Sequence, residues 1–187
     1  MGNEQNRPPA FNLPTFDPPG DTPRIYLDHA ATTPVDPAVI AAMVPHWASG
    51  WGNPSSLYGA GRAARAAIDR ARATVAGVLG CAPNEIIFTG GGTEGDNLAL
   101  KGTIEAARAA GRPTHLITTA IEHHAVLHAA DYLERFGTVV TRLPVEDDGL
   151  VDPAAVEAAI RPETALISVM YANNEIGTIA PLAAIAA

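Results

Sequence analysis

Three short polar segments each stand just beyond a run of apolar residues that is typical of a buried β-strand. The segments are 90–97, 121–125 and 171–177, and they follow the predicted strands 85–89, 115–119 and 165–171, respectively. In an open parallel sheet the carboxyl ends of the strands share one edge, and ligands bind at that edge. The sequence therefore predicts a single site built from these three segments.

The first segment reads Gly-Gly-Gly-Thr at 90–93 and opens a predicted helix. Glycines let the backbone approach a ligand closely, and a helix N-terminus offers free N–H groups and a positive dipole end. We interpret Gly92 and Thr93 as candidate ligands of a phosphate. The spacing is neither a Walker A loop nor a GxGxxG loop. A flexible turn with Thr93 as an ordinary N-cap is the alternative.

The second segment carries the histidine pair His123 and His124. A histidine at a strand end can stack on a flat ring or transfer protons. Adjacent histidines point in different directions, and no carboxylate four residues on completes a ligand set, so we predict no metal site. A solvated or capping histidine is the alternative interpretation.

The third segment, 171–177, contains the asparagine pair Asn173 and Asn174 followed by a glutamate. An asparagine side chain offers both a donor and an acceptor, which suits a phenolic oxygen or a carboxylate. An Asx turn is the common structural alternative. Two earlier loops, 26–36 and 51–56, are rich in turn residues, and neither loop by itself indicates a function.

The elements that must position these segments alternate along the chain. Helices are predicted over 37–47, 61–79, 93–110, 125–136 and 153–160, and strands over 85–89, 115–119, 139–143 and 165–171. This alternation predicts an α/β fold with a mostly parallel sheet and helices on both faces. Six prolines at or before Pro23 predict a flexible tail over 1–22. The last residues, 181–187, open a helix that has no stop signal, so we expect the sequence to break off inside an element.

The composition limits the function classes. The 187 residues are 47% hydrophobic and 17% charged, which is typical of a globular chain. The formal net charge of −8 makes nucleic acid an improbable partner. The single cysteine, Cys81, permits no disulfide within the chain and fits a reducing compartment. No segment reads as a signal peptide or a membrane span, so we expect a cytoplasmic protein.

Five sequence blocks occur together in an order that resembles the cysteine desulfurases. They are Tyr-Leu-Asp-His-Ala-Ala-Thr-Thr-Pro-Val-Asp at 26–36, Gly-Asn-Pro-Ser-Ser at 52–56, Ile-Ile-Phe-Thr-Gly-Gly-Gly-Thr-Glu-Gly-Asp-Asn-Leu-Ala at 86–99, Glu-His-His-Ala-Val at 122–126 and Asn-Asn-Glu-Ile-Gly at 173–177. This group lies within the class V aminotransferases of the fold-type-I pyridoxal-phosphate enzymes, and the chain is most similar to the iron–sulfur cluster assembly members. Tyr58, where the family often has histidine, and Gly95, where serine is common, are minor departures.

The resemblance implies pyridoxal 5′-phosphate as cofactor and L-cysteine as substrate, with L-alanine and an enzyme persulfide as products. It implies that Gly92 and Thr93 hold the cofactor phosphate. His123 would stack on the pyridine ring and assist proton transfer, and Asn174 would face the phenolic oxygen. Residues 28–33 would lie near the substrate entrance. A homodimer and a sulfur-acceptor or scaffold protein are the implied partners.

In the family, the lysine that binds the cofactor covalently and the nucleophilic cysteine lie beyond the position of Ala187. We therefore expect 23–187 to be an incomplete class V domain without desulfurase activity of its own. Lys101, the single lysine, is predicted to be a solvated helix charge, and Cys81 a turn residue. Another class V enzyme, either a transaminase or a lyase, is one alternative. A non-catalytic gene fragment or split half is the other.

Overall fold

A computed structural model describes residues 25–187 and divides them into two compact units. The first unit ends at Ile87, and the second spans Phe88–Ala187. The predicted tail, 1–22, lies outside the described residues. The first unit contains helices α1 (Pro37–Ala48) and α2 (Gly59–Leu79) and a short 3-10 helix, Pro83–Glu85.

Short-range signals fix the helices of the first unit. The Asp36 side chain accepts a hydrogen bond of 2.7 Å from the Ala38 N–H, and proline follows it at the first helical position of α1. The block at 52–56 forms a tight turn in which the Ser56 N–H bonds the Asn53 carbonyl at 3.0 Å. This turn sits so close to Gly61 of α2 that a β-carbon there would lie 2.7 Å from the Asn53 oxygen. The block is thus a structural turn that requires glycine on the facing helix.

The second unit is the α/β part of the molecule. Its elements are α3 (Gly92–Ala109), β1 (His115–Thr119), α4 (His124–Arg135), β2 (Val139–Leu143), α5 (Pro153–Ala159), β3 (Thr164–Ser168) and α6 (Leu182–Ile185). The three strands are parallel and lie in the order β2-β1-β3, so the first strand in sequence is central. All five residues of β1 are buried. The predicted α/β fold with a parallel sheet is confirmed.

The alternation of side chains along β1 creates two apolar cores, one on each face of the sheet. Leu116 packs with residues of α3 and α4, including Ile104 and Leu133. Its neighbour Ile117 points the other way and packs with Val156 of α5. Helices therefore cover both faces, as a parallel sheet requires.

The prediction of a strand over 85–89 is wrong. Glu85 belongs to the 3-10 helix, where its carboxylate accepts a hydrogen bond of 2.6 Å from the Ala82 N–H. Residues 86–89 are not part of any strand of the sheet formed within residues 25–187. Apolar, β-branched sequence favours an extended backbone, but a strand also needs a neighbour in register, and that is not a local property. The last predicted strand also ends earlier, at Ser168.

Candidate functional site

The strand order creates a crevice between the carboxyl ends of β1 and β3. After β1 the chain passes through α4 to β2 on one side, and it then returns through α5 to β3 on the other side of β1. The helices α4 and α5 lie on opposite faces of the sheet. The loops that leave β1 and β3 therefore diverge and leave a space between them. Open α/β sheets bind ligands at such a reversal of strand order.

A cavity of about 320 Å³ occupies this crevice, and we call it the strand-end cavity. It is lined from the β1 side by Ala120, Ile121, Glu122, His123, His124 and Leu127, and from the β3 side by Asn173, Asn174, Glu175 and Ile176. The structure thus brings together two of the three polar segments that the sequence singled out. Both predicted site residues on those segments, His123 and Asn174, line the cavity.

His123 is the N-cap of α4, and this role fixes the state of its ring. The Nδ1 atom accepts a hydrogen bond of 3.1 Å from the Ala125 N–H. A neutral imidazole has one acceptor and one donor nitrogen, so the proton of neutral His123 resides on Nε2. That Nε2 makes no hydrogen bond within residues 25–187 and is available to a ligand. The capping alternative is therefore correct for Nδ1, and it leaves Nε2 free as a donor.

The two asparagines have different roles. The Asn173 Oδ1 accepts bonds from the backbone of Glu175 (2.8 Å) and Ile176 (3.1 Å), which is an Asx turn. Its Nδ2 donates to the Ile121 carbonyl at 3.1 Å. Asn174 is exposed at the cavity, and no hydrogen bond occupies its side chain within residues 25–187. The Asx-turn alternative thus applies to the first of the pair, and the second is the one available to a ligand.

Glu122 was not singled out by the sequence reasoning, although it lines the cavity and is only 7% exposed. Its Oε1 accepts hydrogen bonds from the Met170 N–H at 2.8 Å and from the Thr119 hydroxyl at 3.0 Å. Burial raises the pKa of the Glu122 carboxyl, the two hydrogen bonds oppose this, and the charge of nearby Asp96 adds to it. A glutamate three residues beyond a buried strand was the sequence signal for this residue.

The glycine-rich segment begins α3 at Gly92, with Gly91 as N-cap. The alternative in which Thr93 is the N-cap is wrong, because Thr93 lies one residue inside the helix. Gly91 offers no side-chain cap, so the N–H groups of the first turn are not occupied in that way. The Glu94 carboxylate instead reaches back to the Gly90 N–H at 2.7 Å.

Thr93 lies on a second depression, a groove of about 390 Å³ between α3 and α4, which also borders Ala125 and His128. Lys101 lies further along the same groove, with its Nζ 4.3 Å from the centre of the Tyr132 ring. Lys101 is partly exposed, and the contact of its charge with the Tyr132 ring was not part of the prediction of a solvated helix charge. Within residues 25–187 no group of three or more histidine, cysteine or acidic residues could hold a metal ion.

The sequence profile described as Aminotransferase class-V matches residues 25–187. The chain belongs to the class V aminotransferase family. This confirms the family predicted from the five blocks. Membership of this family also agrees with the position of the strand-end cavity, which lies where α/β enzymes bind their ligands.

Relatives of this class V chain carry one recurrent description. The chain is 51% identical over 158 residues to a cysteine desulfurase IscS of Methanosarcina thermophila, covering 84% of this chain and 39% of the relative. It is 49% identical to a cysteine desulfurase IscS of Dictyoglomus turgidum, with 84% and 40% covered. The chain thus spans about two fifths of the length of the curated relatives it matches.

Solved structures agree with this placement in the class V family. A NifS-like protein superposes with a TM-score of 0.83 at 40% identity, covering 87% of this chain and 44% of that structure. A structure described as SspA in complex with cysteine superposes with a TM-score of 0.80 at 41% identity, with 86% and 46% covered. No helix within residues 25–187 has both the length and the apolar character to cross a membrane.

Proposed function

We propose that the protein is a pyridoxal-phosphate-dependent cysteine desulfurase, which converts L-cysteine to L-alanine and passes the sulfur to an enzyme cysteine. The observation that carries the proposal is the meeting of His123 and Asn174 at one cavity, at the carboxyl ends of β1 and β3. Relatives at about half identity are described as cysteine desulfurases, and one similar structure is described as a complex with cysteine.

The donors present fit a flat, anionic cofactor. Gly92 and Thr93 would hold its phosphate, because the first turn of α3 has no side-chain cap and an 18-residue helix presents its positive dipole end there. His123 would lie against the pyridine ring with Nε2–H as a donor. Asn174 would donate to the phenolic oxygen. When bound, pyridoxal phosphate supplies the electron sink for the reaction.

Lys101 is not the residue that we assign to covalent attachment of the cofactor. It lies eight residues beyond Thr93 on α3, about 12 Å along the axis at ~1.5 Å per residue. Its ammonium group contacts the Tyr132 ring in the groove between the helices. We keep the proposal that the attachment lysine and the sulfur-accepting cysteine lie outside the 187 residues, so that this chain alone is inactive. Residues 23–187 would then form an incomplete class V domain that follows a tail, 1–22.

In its complete form we propose a cytoplasmic homodimer that delivers sulfur to an acceptor or scaffold protein for iron–sulfur cluster or thio-cofactor assembly. Another class V activity, a transaminase or lyase reaction, is the competing enzyme proposal. Sulfide and alanine formed in equal amounts from L-cysteine by the full-length protein, in the presence of a dithiol reductant that releases the persulfide sulfur as sulfide, would support the desulfurase. Cofactor binding without sulfide release would favour the other enzyme class. Failure to bind the cofactor would favour a non-catalytic fragment or split half.

The phosphate role of Thr93 is tested by Thr93→Val in the full-length protein. We expect the affinity for pyridoxal phosphate to fall by roughly 1–3 kcal/mol, because a charge-assisted hydrogen bond is lost. Thr103→Val, an exposed position on the same helix, is the matched control. Cofactor affinity is measured by absorbance titration. Equal affinities for the two variants would contradict the assignment of Thr93.

The role of His123 is tested by comparing His123→Ala with His124→Ala. Both rings are exposed, but only the His123 ring is held in place by a hydrogen bond, from the Ala125 N–H to its Nδ1. We expect His123→Ala to change the absorbance of bound cofactor and to lower turnover strongly, and His124→Ala to do neither. Equal and mild effects of the two substitutions would contradict this role.

A further inference from the structure

Two hydrogen bonds tie the loop that carries His123 to the loop that carries Asn174. In one, the Glu122 carboxylate of the first loop accepts from the Met170 N–H of the second at 2.8 Å. In the other, the Asn173 Nδ2 of the second loop donates to the Ile121 carbonyl of the first at 3.1 Å. We call this pair of bonds the loop clasp. In both bonds the second loop donates and the first loop accepts, and the two acceptors are on the adjacent residues Ile121 and Glu122.

The clasp lies where the sheet no longer sets the spacing of the two loops. The paired residues of β1 and β3 end at Thr118 and Ser168. Beyond that pair the two segments diverge. The segment after β1 enters α4, and the segment after β3 enters the Asx turn at Asn173. The clasp bonds join residues that lie within five positions of the last ladder pair, and the residues that follow them, His123 and Asn174, line the strand-end cavity.

The surroundings of Glu122 fix its side chain in this position. The Thr119 hydroxyl donates to the same Oε1 at 3.0 Å, so the oxygen that receives the Met170 N–H is held from two sides. The side chain is 7% exposed, and burial of a carboxyl without polar partners is unfavourable. Replacing it by an apolar side chain would leave the partly buried Met170 N–H without its acceptor, so the clasp depends on an oxygen at this position.

We propose that Glu122, together with Asn173, is a positioning residue that sets the separation of His123 and Asn174 across the strand-end cavity. The proposal rests on the proposed function, since it assigns Glu122 a role in holding the two cofactor-facing side chains. Glu122 itself needs no contact with the cofactor. Its effect is transmitted through the backbone of its own loop and of the Met170 loop.

The test compares Glu122→Leu, which removes the acceptor, with Glu122→Gln, which keeps an oxygen at the same place. In the full-length protein we expect Glu122→Leu to weaken pyridoxal phosphate binding at least about tenfold, as loss of a buried hydrogen bond predicts. We expect Glu122→Gln to stay within about twofold of wild type. Glu157→Leu and Glu157→Gln, at an exposed glutamate of α5, are the matched controls.

A second measurement, made without cofactor, separates positioning from general stability. Ring ¹⁵N NMR signals of His123 report whether Nδ1 still accepts the Ala125 N–H and whether Nε2 carries the proton. We expect Glu122→Leu to shift these signals, Glu122→Gln to restore them, and the His128 signals to stay constant throughout. Asn173→Asp keeps the Oδ1 acceptor of the Asx turn but removes the Nδ2 donor to Ile121, so it should shift the His123 signals as well.

Unchanged His123 signals and unchanged cofactor affinity in folded Glu122→Leu would overturn the proposal. If Glu122→Leu does not fold, Asn173→Asp decides by the same two criteria. If wild-type protein does not bind pyridoxal phosphate, the proposed function fails. The His123 signals in the two variants still decide whether the clasp positions that ring.

Discussion

Strand β1 has a buried polar cluster at each end, and the two clusters differ in whether their hydrogen bonds are complete. At the amino end the His115 ring bonds Thr164 through Nδ1 and Thr141 through Nε2, both at 2.8 Å, and the residue is 1% exposed. At the carboxyl end Glu122 is bonded and buried, but its neighbour His123 keeps a free Nε2 at a cavity.

This difference shows how to separate a structural from a functional polar residue in one sheet. Both nitrogens of His115 are used inside the protein, so the ring joins the three strands β2, β1 and β3 and offers nothing to a ligand. His123 uses one nitrogen to cap its own helix, and its other ring nitrogen has no hydrogen-bond partner within residues 25–187. A histidine with both ring nitrogens bonded inside the protein is therefore structural, whereas a ring held through one nitrogen can still bind a ligand through the other.

The two clusters also differ in how burial shifts their ionisation. Burial lowers the pKa of His115, and the charge of Arg161 lowers it further, against a smaller opposing effect of Glu163. Burial raises the pKa of Glu122. In both cases folding favours the neutral form of the side chain. The resulting stabilisation is lost at low pH for His115 and at higher pH for Glu122.

The largest effect is expected from His115→Ala, which removes the ring that joins the three strands. A cavity and two threonine hydroxyls without their partner would remain in a buried region, so we expect a loss of about 3 kcal/mol in the free energy of unfolding. Urea denaturation of the full-length protein measures it. The NMR signals of the His123 ring should stay unchanged in this variant. A shift of those signals would show that the polar clusters at the two ends of β1 are not independent.

The pH dependence of stability should have opposite signs at the two ends. The lowered pKa of His115 contributes stability that is complete above its ordinary value of 6.5 and is lost as the pH falls. The raised pKa of Glu122 contributes stability that is complete below 4.5 and is lost as the pH rises through the folded value. Urea midpoints measured from about pH 4 to about pH 8 for wild type, His115→Gln and Glu122→Gln check this.

In that series His115→Gln should remove part of the acid-side loss of stability. Glu122→Gln should remove part of the loss of stability that occurs as the pH is raised above about 4.5. It should leave the contribution of His115 unchanged. Parallel pH profiles for wild type and both variants would contradict the pKa shifts assigned to these two residues, downward for His115 and upward for Glu122.

The smallest effect is expected from two adjacent threonines at the carboxyl end of β1. The Thr118 hydroxyl is buried and has no hydrogen-bond partner within residues 25–187, whereas the Thr119 hydroxyl bonds Glu122. Thr118→Val should therefore stabilise the protein by roughly 1 kcal/mol, and Thr119→Val should destabilise it by a similar amount. Thermal unfolding of the two variants and of wild type measures both changes in stability. Destabilisation by Thr118→Val would show that its hydroxyl has a partner in the complete protein.

The helices and two of the strands could be predicted because their signals are local. Asp36 and Asp152 cap the helices that they precede, and a left-handed Gly137 follows the end of α4. Strands β1 and β2 have the predicted bounds, 115–119 and 139–143. The failed strand at 85–89 had the same kind of apolar sequence, but strand pairing depends on residues far away in the chain.

The sequence by itself determined the family, the alternation that makes a parallel α/β sheet, and the residue types that end at its carboxyl edge. Only the tertiary structure decided which of those residues are free for chemistry. The Asn173 amide and the Glu122 carboxylate are committed to partners 52 and 48 residues away, respectively. Such bonds form only when β1 and β3 lie side by side, and they leave His123 Nε2 and the Asn174 side chain among the polar groups available at the strand-end cavity.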